Sequence, residues 1–130
     1  MTKIVLGKRP ESFKKKITVA LPEGGMGELT ISYIYRTRTE FGAFVDDMFR
    51  DAGVKPAGKS DEEVRISLAE ALAKTIEMNA EYIMKIANGW DLEAEFSADS
   101  VKQLCDELPG VAMALIDTYR QAISEGRLGN

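Results

Sequence analysis

The chain has 130 residues, of which 45% are hydrophobic and 29% charged, with a net charge of −4 and a pI near 5.0. That suits one domain with a real core, argues against wholesale disorder, and disfavours nucleic acid as a partner. There is no histidine and one cysteine, Cys105, so the commonest general base, the commonest metal ligand and any internal disulfide are missing; zinc, haem and triad chemistries become improbable together.

The first segment, Met1 to Arg9, holds only a short apolar stretch, Ile4-Val5-Leu6. It is too short for a signal peptide, and no apolar run approaches the ~18 residues of a membrane span, so the expected location is cytoplasmic, without a membrane partner. Residues 2–7 read as a short extra strand, because Ile4, Val5 and Leu6 are β-prone. Pro10 interrupts, and Phe13 anchors the segment in the core. Ile17, Val19 and Leu21 then alternate with Lys16, Thr18 and Ala20; Leu29, Ile31, Tyr33 and Tyr35 alternate with Thr30, Ser32 and Arg36. A period of two on both sides of the glycine-rich stretch 22–28 predicts a β-hairpin with one greasy face and a loop of about seven residues.

Everything after the hairpin reads as helix. Thr37-Arg38-Thr39-Glu40 matches a capping box, followed by Phe41, Phe44, Val45, Met48 and Phe49 at helical spacing and by Gly53 as a stop. Residues 53–59 form a linker. Ser60-Asp61-Glu62-Glu63 is a second capping box. The helix it opens runs to Asn88-Gly89, with Ala69, Leu72, Ile76, Ala80, Ile83 and Ala87 as its apolar stripe, widened by Val64, Leu68, Met84 and Ile86. About 27 residues is long for a small domain, which suggests a kink near Asn79. Trp90-Asp91-Leu92 crosses over as an extended turn. Ser97 caps a third helix with Val101, Leu104, Cys105 and Leu108 inside; Pro109 opens a fourth with Ala112, Leu115, Ile116, Tyr119, Ala122 and Ile123 inside. Residues 125–130 form a flexible polar tail. The expected class is α+β: an antiparallel hairpin, or three strands if residues 2–7 join it, packed against about four helices.

Charge is uneven. Residues 1–60 carry 11 basic and 7 acidic side chains, a net of +4, and residues 61–130 carry 6 basic and 14 acidic, a net of −8. Two solvated surfaces explain this most simply; head-to-tail association between copies, or docking on a charged partner, is the sharper reading.

No residue set points to catalysis. Cys105 lies on an apolar face beside Asp106 and Glu107, the setting of an inert core thiol. Asp46 and Asp47 are adjacent on a helix and point about 100° apart, so they do not converge; Glu93 and Glu95 read as solvated charge. Lys8-Arg9 and Lys14-Lys15-Lys16 lack the aromatic interleaving of a single-strand binder, and a lysine-studded edge strand is a known guard against aggregation. Gly24-Gly25-Met26-Gly27 is followed by neither a Lys-Ser or Lys-Thr pair nor a helix, so it is a hairpin loop and not a phosphate cradle. Phe41, Phe44, Phe49 and Trp90 read first as core; any that are exposed become partner anchors, together with Met48.

One ordered set of features resembles a known family. Leu6-Gly7-Lys8-Arg9-Pro10-Glu11-Ser12-Phe13 precedes the hairpin, and Tyr35-Arg36-Thr37-Arg38-Thr39-Glu40-Phe41 leads from strand into helix. Asn88-Gly89-Trp90-Asp91 stands before Phe96-Ser97, Leu108-Pro109 opens a helix containing Tyr119, and Leu128-Gly129-Asn130 closes the chain. No single motif is specific; their order and spacing resemble the tail assembly chaperones of long-tailed phages and prophages. The resemblance implies one domain over residues 1–130, no catalysis and no cofactor or metal. It also implies transient binding of the tape measure protein, help for tail tube protein polymerising around it, residence in the host cytoplasm and absence from the virion. A longer, frameshifted form is common in the family. Phe41, Phe44, Met48, Phe49 and Trp90 are the candidate partner-binding residues. A small DNA-associated regulator using the basic N-terminal segment is the alternative; an enzyme built on carboxylates alone would require two converging acids that the spacings do not offer.

Overall fold

In a computed structural model, residues 3–51, 68–126 and 128 are described, apart from the side chains of Phe49 and Asp51. The elements run β1 (Ser12–Ala20), β2 (Met26–Ile34), α1 (Arg38–Asp51), α2 (Leu68–Ile86), β3 (Ala87–Trp90), α3 (Ala98–Glu107) and α4 (Pro109–Glu125). The fold is α+β, with a three-stranded antiparallel sheet in the order β1-β2-β3. The proposed stop at Gly53, the linker 53–59, the capping box at Ser60 and Val64 lie outside the described residues.

The hairpin forms as its alternation predicts. Phe13, Ile17 and Val19 on β1 and Leu29, Ile31 and Tyr33 on β2 are buried on one face. The register pairs Phe13 with Tyr33 and Ile17 with Leu29, so the greasy rows lie side by side. The loop is shorter than expected. Met26, Gly27 and Glu28 belong to β2, opposite Ala20, Val19 and Thr18, leaving a connection of residues 21–25. Gly24 and Gly25, at φ +95° and +79°, make the reversal, a conformation other residues rarely adopt. Leu21 folds back over Gly27, where an added Cβ would come within 3.0 Å of Leu21 Cδ2.

The third strand is not residues 2–7. Residues 3–5 are irregular and Leu6-Gly7 turns; Ile4 and Leu6 are 91% and 94% exposed. These β-prone residues run directly into a turn at Gly7, φ +87°, and among the described residues pair with no strand. The free side of β2 is taken by Ala87–Trp90, where the end of a helix at Asn88-Gly89 and an extended turn from Trp90 were expected: Trp90 pairs with Ile31, Gly89 with Ser32 and Ala87 with Tyr33. Asn88 is the extra residue of a bulge, so Ala87 and Trp90 both align with the inward row. Asp91 prolongs the pairing: Thr30 N–H donates to its Oδ1 at 2.8 Å, and its own N–H donates to the Thr30 carbonyl at 3.1 Å.

Helices cover the inner face. α4 lies under β1 and against α2 and α3, and Val111, Ala112, Leu115, Ile116, Tyr119, Ala122 and Ile123 give it a continuous buried stripe. Pro109 sits in its first turn and Gly126, at φ +70°, closes it. Ser97 caps α3 by accepting from Ser100 N–H at 3.2 Å, with Val101 and Cys105 buried. The expected capping box on α1 is present: Glu40 N–H donates to Thr37 Oγ1 at 3.2 Å, and Thr37 N–H donates to Glu40 Oε1 at 2.9 Å. That bond, with Arg9 at 3.1 Å, lowers the Glu40 carboxyl below its ordinary value.

Under the centre of the sheet, Phe13, Tyr33 and Tyr119 form a ring cluster with centroids 5.1–6.1 Å apart. Each buried hydroxyl has a partner: Tyr33 donates to the Leu115 carbonyl at 2.6 Å and Tyr119 to the Ile34 carbonyl at 2.8 Å. Burial raises both phenols above their ordinary value. Arg36 joins the layers. It donates to Tyr119 Oη at 3.0 Å and to the Lys85 carbonyl, at the end of α2, at 2.9 Å, and its guanidinium lies 4.2 Å from the Phe44 ring centroid.

Candidate functional site

The two halves of α2 differ. Ala80, Ile83 and Ile86 in the second half are buried. In the first half Leu68 is 74% exposed and Leu72 55% exposed, and Ala69 and Ala73 are exposed too. α2 is one unbroken helix through Asn79, and among the described residues its first half is less covered than its second. The expected apolar stripe is therefore real, but its Ala69 and Leu72 end is surface.

Along its length α2 meets α3 in two open grooves. One, about 720 Å³, is lined by Ala69, Leu72, Ala73 and Ile76 with Gln103 and Asp106 at its rim. The other, about 530 Å³, is lined by Lys74, Met78, Ala80, Glu81, Met84 and Ala98. Glu77 and Lys102 border both, and their ion pair, 3.9 Å long and exposed, crosses from α2 to α3. An exposed pair of that length contributes little to stability and yields readily to an incoming chain. The lining combines apolar side chains with charged ones, a composition suited to the apolar face of an amphipathic helix. Met78 and Met84 add unbranched side chains that refit to different contours.

The sequence candidates fall elsewhere. Phe41 and Phe44 are half-buried on α1, with Phe41 edge-on to Tyr119 at 5.8 Å and Phe44 edge-on to Tyr82 at 5.2 Å. Met48 is half-buried on the same helix, and the side chain of Phe49 lies outside the described residues. Trp90 is half-buried on β3, edge-on to Phe96 at 5.1 Å, with its indole N–H donating to the Ala94 carbonyl at 2.6 Å. The candidates thus divide between an α1 cluster and a β3–α3 cluster. Leu72, Ile76 and Met78 were legible only as stripe or as methionine count. The available signal was the helix length, since a helix that long on a small domain cannot bury its whole stripe.

Over residues 1–130 the chain matches the family model described as phage tail assembly chaperone. It belongs to that family. The resemblance carried by the spacing of weak motifs is thereby confirmed over the whole chain. No curated protein and no solved structure matches it.

As a member of this family the protein is read for surfaces before reaction centres. Among the described residues, no group of three or more Cys, Asp or Glu side chains is placed to hold a metal ion, and no buried side-chain nitrogen or oxygen lacks a partner. Cys105 is buried and burial raises its thiol pKa, the opposite of what an attacking thiolate needs. Asp46, Asp47, Glu93 and Glu95 are all exposed. No helix among the described residues is long and apolar enough to cross a membrane.

Proposed function

We propose that this phage tail assembly chaperone acts without covalent chemistry, in the host cytoplasm. It transiently binds the tape measure protein, promotes tail tube protein polymerisation around it, and leaves before the virion is complete. The observation that carries this reading is the uncovered apolar half of α2, with its grooves against α3. A protein that must hold a long, partly apolar helix and then release it needs an open groove of modest area, not a closed cavity. Repeated weak contacts along one tape measure would gain from multivalency. The basic first half and acidic second half of the chain would help successive copies align. Phe41, Phe44, Met48, Phe49 and Trp90 are retained as a further contact region. The whole chain is read as one domain.

The test is co-expression with the neighbouring tail proteins followed by pull-down. The tape measure protein should co-purify and stay soluble only with this chaperone. Leu72→Glu and Met78→Glu, both at exposed positions, should abolish capture and leave the fold intact. A tape measure protein that is soluble alone and never co-purifies overturns the proposal. Retention on DNA that weakens steeply with salt would favour the DNA-associated regulator instead. That alternative must contend with the engagement of Arg9 by Glu40 and of Lys16 by Glu28.

A further inference from the structure

β1 is the outer strand of the sheet, and its backbone register says which groups its open edge presents. Antiparallel pairs alternate between those that exchange hydrogen bonds and those that do not. Two bonds fix the alternation: Tyr35 N–H donates to the Glu11 carbonyl at 3.0 Å, and Leu21 N–H donates to the Gly25 carbonyl at 3.1 Å. Both flank the ladder in the same register, so the odd residues Phe13, Lys15, Ile17 and Val19 bond to β2. The even residues Ser12, Lys14, Lys16, Thr18 and Ala20 turn their N–H and C=O groups outward. Among the described residues, no other backbone group bonds to that side. The strand is nine residues long, which is long for a sheet edge.

The same parity fixes the side chains. Lys14, Lys16 and Thr18 face solvent, while Phe13, Ile17 and Val19 face the helices. A strand added alongside β1 would set every second side chain next to Lys14 and Lys16, about 5 Å away. The intervening side chains would point to the covered side, toward the flank of α4, the helix under β1. Acidic residues suit the first row and apolar residues the second. Lysines side by side disfavour a second copy of β1 or any basic strand. They therefore act as a filter and not only as a guard.

We infer that the β1 edge is a second docking site, separate from the α2–α3 groove, that captures an extended acidic segment of a partner protein by strand addition, with Asp or Glu at alternate positions and apolar residues between them. The backbone supplies the hydrogen bonds, and Lys14 and Lys16 supply the selection, Lys16 exchanging its exposed 3.8 Å pair with Glu28 for the incoming acid.

The experiment uses the full chain and a synthetic peptide of alternating glutamate and valine, with a scrambled peptide and a lysine–valine peptide as controls. Backbone amide exchange is followed by NMR. In the free protein the amides of Lys14, Lys16 and Thr18 should exchange quickly while those of Ile17 and Val19 are protected. Addition of the acidic peptide should slow the first set and leave the groove residues Leu72 and Met78 unshifted. The variant Lys14→Glu/Lys16→Glu should weaken the acidic peptide on the order of tenfold and accept the lysine–valine peptide instead. Lys16→Pro removes an outward N–H together with one of the two lysine charges and should stop binding with the fold kept; should it fail to fold, the charge reversal still decides. Three results would overturn the inference. They are protection of Lys14, Lys16 and Thr18 without peptide, at any protein concentration; acidic-peptide binding that leaves those amides unchanged; and indifference to charge reversal. Failure of the groove variants to affect tape measure capture would sink the earlier proposal and leave this one standing.

Discussion

The two ends of α2 carry the same kind of sequence and meet opposite fates. Leu68, Leu72 and Ile76 repeat with the helical spacing of Ala80, Ile83 and Ile86, yet Leu68 and Leu72 are exposed and Ile76 is half-buried while the second trio is buried. The second half lies where β3, α3 and α4 converge and where Arg36 binds the last-turn carbonyl of Lys85. Among the described residues, the first half faces the far end of α3 across a groove. An apolar stripe is thus a demand for cover, and the rest of the fold decides where the demand is met. Where it is unmet, a chaperone has a surface to offer.

The contrast can be broken most directly in the core under the sheet. Tyr119→Ala removes a ring that contacts Phe13, Tyr33 and Phe41 and should cost about 3–5 kcal/mol, enough to unfold much of the population in a urea titration. Ile83→Ala, in the buried half of α2, should cost about 2–5 kcal/mol by the same measurement. Arg36→Ala loses the bonds to Tyr119 and Lys85 and the Phe44 contact. It should cost about 1.5–3 kcal/mol and loosen α1, seen as faster amide exchange there. The matched substitution in the exposed half, Leu72→Ala, should change stability by no more than about 0.5 kcal/mol while weakening partner capture. If Leu72→Ala destabilises as much as Ile83→Ala, the first half of α2 is covered and the contrast fails.

Titration sharpens it further, with the buried side again the more sensitive. Burial raises the phenols of Tyr33 and Tyr119, so the folded state holds those protons longer than the unfolded chain. Their contribution is complete below the unfolded value near pH ~10 and is lost as pH rises through the folded values. Thermal melts should therefore show stability falling in strong alkali. Glu40 has the opposite sign, since its folded value is lowered, first by the Thr37 N–H bond. Its contribution is present above the unfolded value near pH ~4.3 and fades as pH falls through the folded one. Being fully exposed, it should give only a slight acid-side slope, which Glu40→Gln would flatten.

Local features were legible because their signals are local. The hairpin follows from alternation across a glycine loop, the Thr37–Glu40 and Ser97 caps from side chains within reach of nearby amides, and the α3 and α4 faces from their spacing. β3 was not legible. Asn88-Gly89 carries a helix-stop signal, and only pairing with β2 and a bulge turn those residues into a strand. The N-terminal Ile4-Val5-Leu6 failed in the mirror sense, having strand propensity but pairing with no described strand. The groove was hidden for a related reason, because periodicity reports that Leu72 and Ile76 share a face but not whether anything lies opposite.

The sequence by itself settled the chemical character of this protein: no histidine, a single cysteine on an apolar face, and an ordered set of weak motifs that mark it as a phage tail assembly chaperone. Tertiary structure alone decided which apolar residues became core and which became surface, and which strand edge stayed open. Burial and strand pairing are relations between segments far apart in the chain. Their outcome depends on how many partners the fold brings to each face, a quantity no local pattern contains.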